Sequence, residues 1–342
     1  MTTRRTRRGR YPLSLRRAPV PWERQEPTWR AAAPRAIGAS LERALARPSG
    51  NWYVLGASCD IGPEEPHGFT VAGEEIVAWR DGRGRLVAGS GICPHLGAPL
   101  AQARVHCGTL VCHWHGMALD GGPSAGWTAY PAHDDGVLCW VRLDAHGREE
   151  PLPLPVVARR PDLGHAVACV YEATGICEPE DIVANRLDPW HGAWFHPYSF
   201  VDLRVLETRG PSSTSSSSSS GDEALVVRVS FRLTDRIVIP VTAEFTAPEP
   251  RTVVMHITEG EGRGSVVETH ATPLGAGRDG RPRTRVTEAV VAASERPGFA
   301  VARAGAALLR PLMRRTAARL WKDDLAYAER RWHLRSSGRF PG

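Results

Sequence analysis

The sequence predicts an α+β protein in two parts: a small all-β domain, then a larger domain whose antiparallel sheet is followed by a C-terminal helix. Three observations carry this. Between Asn51 and Leu143 the chain is a series of short β-rich runs, NWYVLGA, FTVAGEEIVAW, RLVAGSG, GTLVC and GVLCWVRL, broken by Gly and Asp. From Ala224 to Ser294 five longer runs, ALVVRVSFRL, RIVIPVTAEFTA, RTVVMHITEG, GSVVETHATPL and TRVTEAVVAAS, are spaced as an antiparallel meander. After Pro297 the composition turns to Ala, Leu and Arg and reads as helix to about Trp332, with Pro311 expected to kink or divide it.

Taken in order, residues 1–50 form a basic tail and lead-in with a short helix expected around Ala39 to Ala46. Residues 51–150 form the all-β domain, in which Arg80 to Gly84 reads as a hairpin turn. The alternating prolines of PLPLP open an extended linker, 151–164. The second domain, 165–335, places NRLDPWHGAWFHP on a helix ahead of the meander. The Ser-rich run 211–223 is low in complexity and reads as a mobile surface loop.

Composition narrows the function. A chain of 342 residues with 42% hydrophobic content suits a globular protein with a sizeable core. The net charge of +6 does not imply nucleic acid. Seven Arg and no acid occupy the first 17 residues, and removing them from the 43 Lys and Arg leaves 36 against 37 acids. The excess belongs to an N-terminal tail, read as solvated, with loose attachment to an anionic membrane or partner as the alternative. No apolar run approaches a membrane span or a signal peptide, so a cytoplasmic protein without stable membrane insertion is expected. Seven Cys are too few, and odd in number, for a disulfide framework; metal ligation fits better.

CPHLGAPLAQARVHCGTLVCHWH, Cys93 to His115, shows where. Cys93 and His95 form a C-x-H pair, and Cys112 and His115 a C-x-x-H pair. Structural zinc modules usually group Cys with Cys and His with His, whereas here each loop is mixed. A [2Fe-2S] cluster with two thiolates on one iron and two imidazoles on the other takes one Cys and one His from each of two loops, and neutral imidazole raises its potential. With GSGICPHLGAPL and TLVCHWHGMALDGG, residues 52 to 143 resemble a Rieske iron-sulfur domain. Ala98 and Trp114 stand where respiratory Rieske proteins carry a disulfide, so the loops are similar to the oxygenase and ferredoxin type. Met117 departs from that type, which commonly has Trp. His113 reads as an outer or surface residue.

A second constellation explains the remaining two hundred residues. Two imidazoles and a carboxylate can hold ferrous iron on one face, leaving the opposite positions for dioxygen. His191 and His196 are candidates, although five residues on an ideal helix separate the side chains by roughly 140° and demand local distortion. The pattern N-x-x-D-x-x-H-x-x-x-x-H resembles the iron motif of Rieske oxygenase large subunits, in its monooxygenase and demethylase branch. The resemblance implies that His191 and His196 are iron ligands, that Asp188 bridges a neighbouring subunit's Rieske histidine to the iron, and that Asn185 lies near the metal. It also implies a helix-grip second domain. The third ligand is expected in LWKDDLAYAERRW, at Asp324 or Asp323. Asp324 shares a helix face with Tyr327 and Ala328, and the family habit is to use the second acid.

The expected function is an O2-dependent monooxygenase with a [2Fe-2S] cluster and mononuclear Fe(II), acting by hydroxylation or demethylation. No flavin or nicotinamide motif is evident, so a separate ferredoxin or NAD(P)H-dependent reductase must supply electrons. The resemblance implies a homotrimer. The apolar strands VVRVSFRL and IVIPVTAEF favour a hydrophobic substrate such as an isoprenoid, carotenoid, steroid or aromatic. The alternative is a Rieske electron carrier or redox sensor whose second domain binds a partner and no iron.

Overall fold

The computed structural model describes residues 14–15, 24–123, 126–147, 149–209 and 223–341. Apart from the strand β1 (Ser14–Leu15), the Arg-rich tail lies outside the described residues, as does the Ser-rich run up to residue 222. The lead-in helix is α1 (Pro34–Leu45), with proline at its start.

Three small antiparallel sheets build the N-terminal part. They comprise β2 (Trp52–Ala57), β3 (His67–Val71), β4 (Glu74–Arg80), β5 (Leu86–Ser90), β6 (Arg104–His106), β7 (Thr109–Val111), β8 (Ala118–Leu119), β9 (Ala129–Tyr130), β10 (Ala132–Asp134) and β11 (Leu138–Arg142). Their orders are β10-β11-β2, β3-β4-β5-β9 and β6-β7-β8. The run FTVAGEEIVAW is two strands rather than one. Ala72 and Gly73 both take positive φ (52° and 88°), which turns the chain into a two-residue hairpin. The expected turn after Arg80 is present, with the Asp81 N–H donating to Arg85 O at 2.9 Å.

The C-terminal part is a seven-stranded antiparallel sheet of order β12-β18-β17-β16-β15-β14-β13, with β1 pairing β15 off this path. Its strands are β12 (Val167–Gly175), β13 (Phe200–Arg209), β14 (Ala224–Arg232), β15 (Ile237–Glu249), β16 (Thr252–Gly260), β17 (Val266–Ala276) and β18 (Pro282–Ala292). The five-strand meander is as expected; β12 and β13 are additions at its two edges. The helices are α2 (Pro179–Arg186), α3 (Gly192–Phe195), α4 (Phe299–Ala304) and α5 (Ala306–Ser336). Helix α5 runs through Pro311, and the break falls at Gly305 instead. The carbonyl that Pro311 leaves without its helical donor belongs to Ala307, which is exposed.

Period-two alternation on β18 decides what faces what. Ala289 and Val291 pack against Trp52, Val54, Leu138 and Trp140 of the N-terminal part, forming one core between the two halves. Glu288, Val290 and Ala292 face the opposite way, into a cavity covered by α5.

Candidate metal centres and an adjoining cavity

The two Cys/His loops are backbone copies of each other. In the first, Cys93 N–H donates to Ala98 O and Gly97 N–H to Cys93 O, both at 2.9 Å. In the second, Cys112 N–H donates to Met117 O (2.8 Å) and Gly116 N–H to Cys112 O (2.9 Å). Gly97 and Gly116 close the loops at φ +76° and +74°, a region that favours glycine. Cys93 and Cys112 are buried, and neither forms a disulfide. Burial pushes the Cys93 thiol up, and the facing Cys112 adds to this. His95 and His115 are exposed, with ring centroids 4.8 Å apart and edge to face. Two sulfurs inside and two imidazoles outside are the donor set of a Rieske cluster. His113 is exposed and packs edge-on against Trp114.

The stretch NRLDPWHGAWFHP is not one helix. Pro189 cannot follow a helical residue without strain, so α2 ends at Arg186 and Asp188 takes φ −109°, ψ 75°. A single 3-10 turn over Pro189–His191 leads into α3, and His196 leaves it at φ −119°, ψ 54°. This break resolves the 140° problem. The rings of His191 and His196 lie 5.4 Å apart, and both Nε2 atoms approach Asp324 Oδ1, at 3.2 and 3.0 Å. One ligand atom from each of His191, His196 and Asp324 lies within 4.8 Å of the others.

The surroundings hold these groups in place. Asn185 Nδ2 donates to the same Asp324 oxygen at 3.0 Å. Behind His191 lies Asp188, with 3.7 Å between Nδ1 and Oδ2, and Tyr327 donates its hydroxyl to that carboxylate at 3.3 Å. Buried Asp188 Oδ1, Asn185 Oδ1 and His191 Nδ1 have no hydrogen-bond partner. Burial alone would lower the His191 imidazole, but the facing carboxylates of Asp188 and Asp324 outweigh it and push it up to about 9. Burial likewise opposes ionisation of Asp324, yet the two histidines hold its carboxyl well below the usual range. Two imidazoles, acids on two sides and orphaned polar atoms are a donor set that fits a divalent cation. Asp323 lies on the other side of His196, accepting from the Tyr198 hydroxyl at 2.6 Å; His196 Nδ1 is 3.2 Å from that hydroxyl and 3.5 Å from the Asp323 carboxylate.

Tyr198 and Tyr327 were not legible in the sequence, because each acts across more than 120 residues. Arg186 was missed for the same reason, and Glu288 because its partner lies on a different element. Trp321 Nε1 donates to Glu288 Oε2 at 2.9 Å, and the Arg186 guanidinium lies over the Trp321 ring. Beyond the His/His/Asp cluster opens a cavity of about 470 Å³, walled by Val227, Val229, Phe231, Met255, Ile257 and Val290, with Arg186 and Glu288 as ionisable lining residues besides those of the cluster and Asp188.

Residues 51–140 match the family described as the Rieske [2Fe-2S] domain, and residues 146–339 the family described as "Domain of unknown function (DUF5914)". The vanillate O-demethylase oxygenase subunit of a Pseudomonas species is 38% identical over 72 residues, 21% of this chain and 20% of that protein. The dicamba O-demethylase oxygenase component of Stenotrophomonas maltophilia is 26% identical over 164 residues, 42% and 46% of the two chains. The matched segments thus span less than half of these relatives. In fold, dicamba monooxygenase bound to dicamba superposes with a TM-score of 0.56 at 18% identity, over 85% of this chain and 90% of that one. The 2-oxoquinoline 8-monooxygenase component does so at 0.54 and 16%, over 90% and 84%. With a Rieske [2Fe-2S] domain ahead of it and a fold shared with those two monooxygenase structures, the match over more than half of the chain makes this chain a member of the family described as "Domain of unknown function (DUF5914)".

Proposed function

We propose that the chain is the oxygenase component of a Rieske non-heme iron monooxygenase, divided into a cluster domain (51–150), a linker (151–164) and a catalytic domain (165–335). The observation that carries this reading is the convergence of His191, His196 and Asp324 at one end of an apolar cavity. A ferrous ion held by these three residues would supply dioxygen activation at its remaining coordination positions. Cys93, His95, Cys112 and His115 hold the cluster. Asn185 fixes the Asp324 oxygen, Tyr198 steadies His196, and Asp188 orients His191 from behind. The apolar walls exclude water and align a hydrophobic molecule for hydroxylation or demethylation, an isoprenoid, carotenoid, steroid or aromatic being the favoured classes.

Exposed Leu96, Trp114, His95 and His115 form a surface through which the cluster loops meet a neighbouring copy in a homotrimer, with Asp188 linking that copy's histidine to His191. Electrons come from a separate ferredoxin or NAD(P)H-dependent reductase. No described helix is long and apolar enough to cross a membrane, and a cytoplasmic location is proposed.

Metal counting tests the reading. Anaerobically purified chain should carry three irons, two of them giving the paramagnetic signal of a histidine-ligated cluster once reduced. Asp324→Ala should carry two and keep that signal. Two irons in the wild-type chain after reconstitution would make it an electron carrier instead.

A further inference from the structure

The first half of the C-terminal helix presents a face that the oxygenase reading leaves unused. Val301, Leu308 and Leu312 are 76%, 85% and 63% exposed. They recur at i, i+7 and i+11. Helix α4 passes into α5 through Gly305 alone, whose N–H still donates to Val301 O, so the three form one stripe roughly 16 Å long. A helix face turned to water normally carries polar residues.

The outward orientation is held in place. Arg303, Arg310 and Arg314 repeat the same spacing two positions later, roughly 200° around the helix. Their guanidinium groups donate to the carbonyls of Gly164 (2.8 Å), Ala168 (3.0 Å) and Val170 (3.1 Å), the last two on the edge strand β12. Rotating the helix to bury its leucines would break all three bonds.

Charge and cavity add two further observations. From Arg296 to Lys322 the chain carries six Arg, one Lys and no acid. Arg315 and Lys322, both exposed, continue the stripe beyond Leu312, and Arg319 between them stacks on Tyr198. Leu312 also lines the cavity, with Met313, Thr316 and Leu320 behind it. The apolar stripe therefore runs into the apolar pocket at its rim. A second copy of this chain seated here would bring the same cations against themselves, whereas an anionic lipid surface complements both the leucines and the charge.

We propose that this face docks peripherally on an anionic bilayer. Val301, Leu308 and Leu312 enter the acyl boundary, Arg315 and Lys322 meet the phosphate headgroups, and a lipid-dissolved substrate passes along Leu312 into the cavity without crossing water. The substrate route rests on the oxygenase reading; the docking does not, and it is measured without turnover.

The experiment is flotation of the full-length, cluster-loaded chain with vesicles of phosphatidylcholine mixed with phosphatidylglycerol, and of phosphatidylcholine alone. The chain should float with the mixed vesicles only, and salt should weaken the binding. Val301→Asp/Leu308→Asp should bind at least about tenfold more weakly with an unchanged visible spectrum. Arg315→Gln and Lys322→Gln should each cost about fivefold. If the Asp pair fails to hold the cluster, Val301→Ser/Leu308→Ser serves, with a smaller loss. Unchanged binding in the Asp or Ser pair would assign the attraction to the Arg-rich tail and overturn the proposal. Absence of binding to anionic vesicles would overturn it as well. So would light scattering in which the Asp pair splits an oligomer that never binds vesicles, since the stripe would then be a contact between copies.

Discussion

Asp324 Oδ1 lies within 3.2 Å of three nitrogens, those of Asn185, His191 and His196, whereas the adjacent Asp323 faces Tyr198. Consecutive helix positions diverge by about 100°, so two neighbouring acids act on opposite sides of the same imidazole. In the proposed site Asp324 is therefore the ligand, and Asp323 acts through Tyr198 and His196. Tyr198→Phe and Asp323→Asn should each weaken mononuclear iron by about 10- to 100-fold, read by competition with a chelator, while the cluster spectrum stays unchanged. Asp188→Asn should retain all three irons yet nearly abolish turnover in a reconstituted assay, because it keeps the shape and removes the charge behind His191. The sequence made the Cys/His pairs and the late acid pair legible because their spacing is local. It could not display Tyr198 or Tyr327, whose meaning depends on a helix arriving from the far end of the chain.

Among the elements, the paired loops show how glycine sets a scaffold. A Cβ at Gly97 or Gly116 would meet no atom within 4 Å, so substitution there costs backbone strain alone. Gly97→Ala and Gly116→Ala should each destabilise by about 1–2 kcal/mol, seen as a lower melting temperature of cluster absorbance, with no change in core packing. The meander was legible from its alternation, as was the C-terminal helix from composition. Strand β13 carries the same signal in Val201, Leu203 and Val205 but was not read as a strand, and β12 stood apart from the meander because two helices and a strand intervene. The histidine-bearing segment, expected on one helix, is instead interrupted at Asp188, ahead of Pro189, and again at His196. Pro311 misled in the opposite sense.

For the whole molecule, one side chain ties the halves together. The Arg160 side chain is 7% exposed; its Nη1 lies 2.6 Å from Asp135 of the N-terminal part, and its Nε and Nη2 donate to Glu268 of β17 at 2.5 and 2.7 Å. Burial would raise the Glu268 carboxyl, but hydrogen bonds from Arg160 and His270 outweigh it and bring it down to about 2. A carboxyl depressed on folding contributes stability that is fully present above its ordinary value near 4.5 and fades as pH falls toward about 2. Arg160→Met should cost about 3–5 kcal/mol in urea unfolding at pH 7, because two buried carboxylates lose their counter-charge. The deficit should shrink below pH 4.5, where those carboxyls take up protons more readily in the variant.

That tie has a consequence for recombining this chain with its relatives. Arg160 lies in the connecting segment but answers to both sides, so the position of a breakpoint decides which charges travel together. A crossover before Arg160 keeps it with Glu268, and a foreign cluster module without an acid at the place of Asp135 still leaves a balanced pair. A crossover after Arg160 hands Glu268 to whatever connector the donor supplies. Chimeras of the first kind should fold and those of the second should fail unless the donor also carries a guanidinium there, so the exchangeable unit ends upstream of Arg160, within the proline-rich stretch.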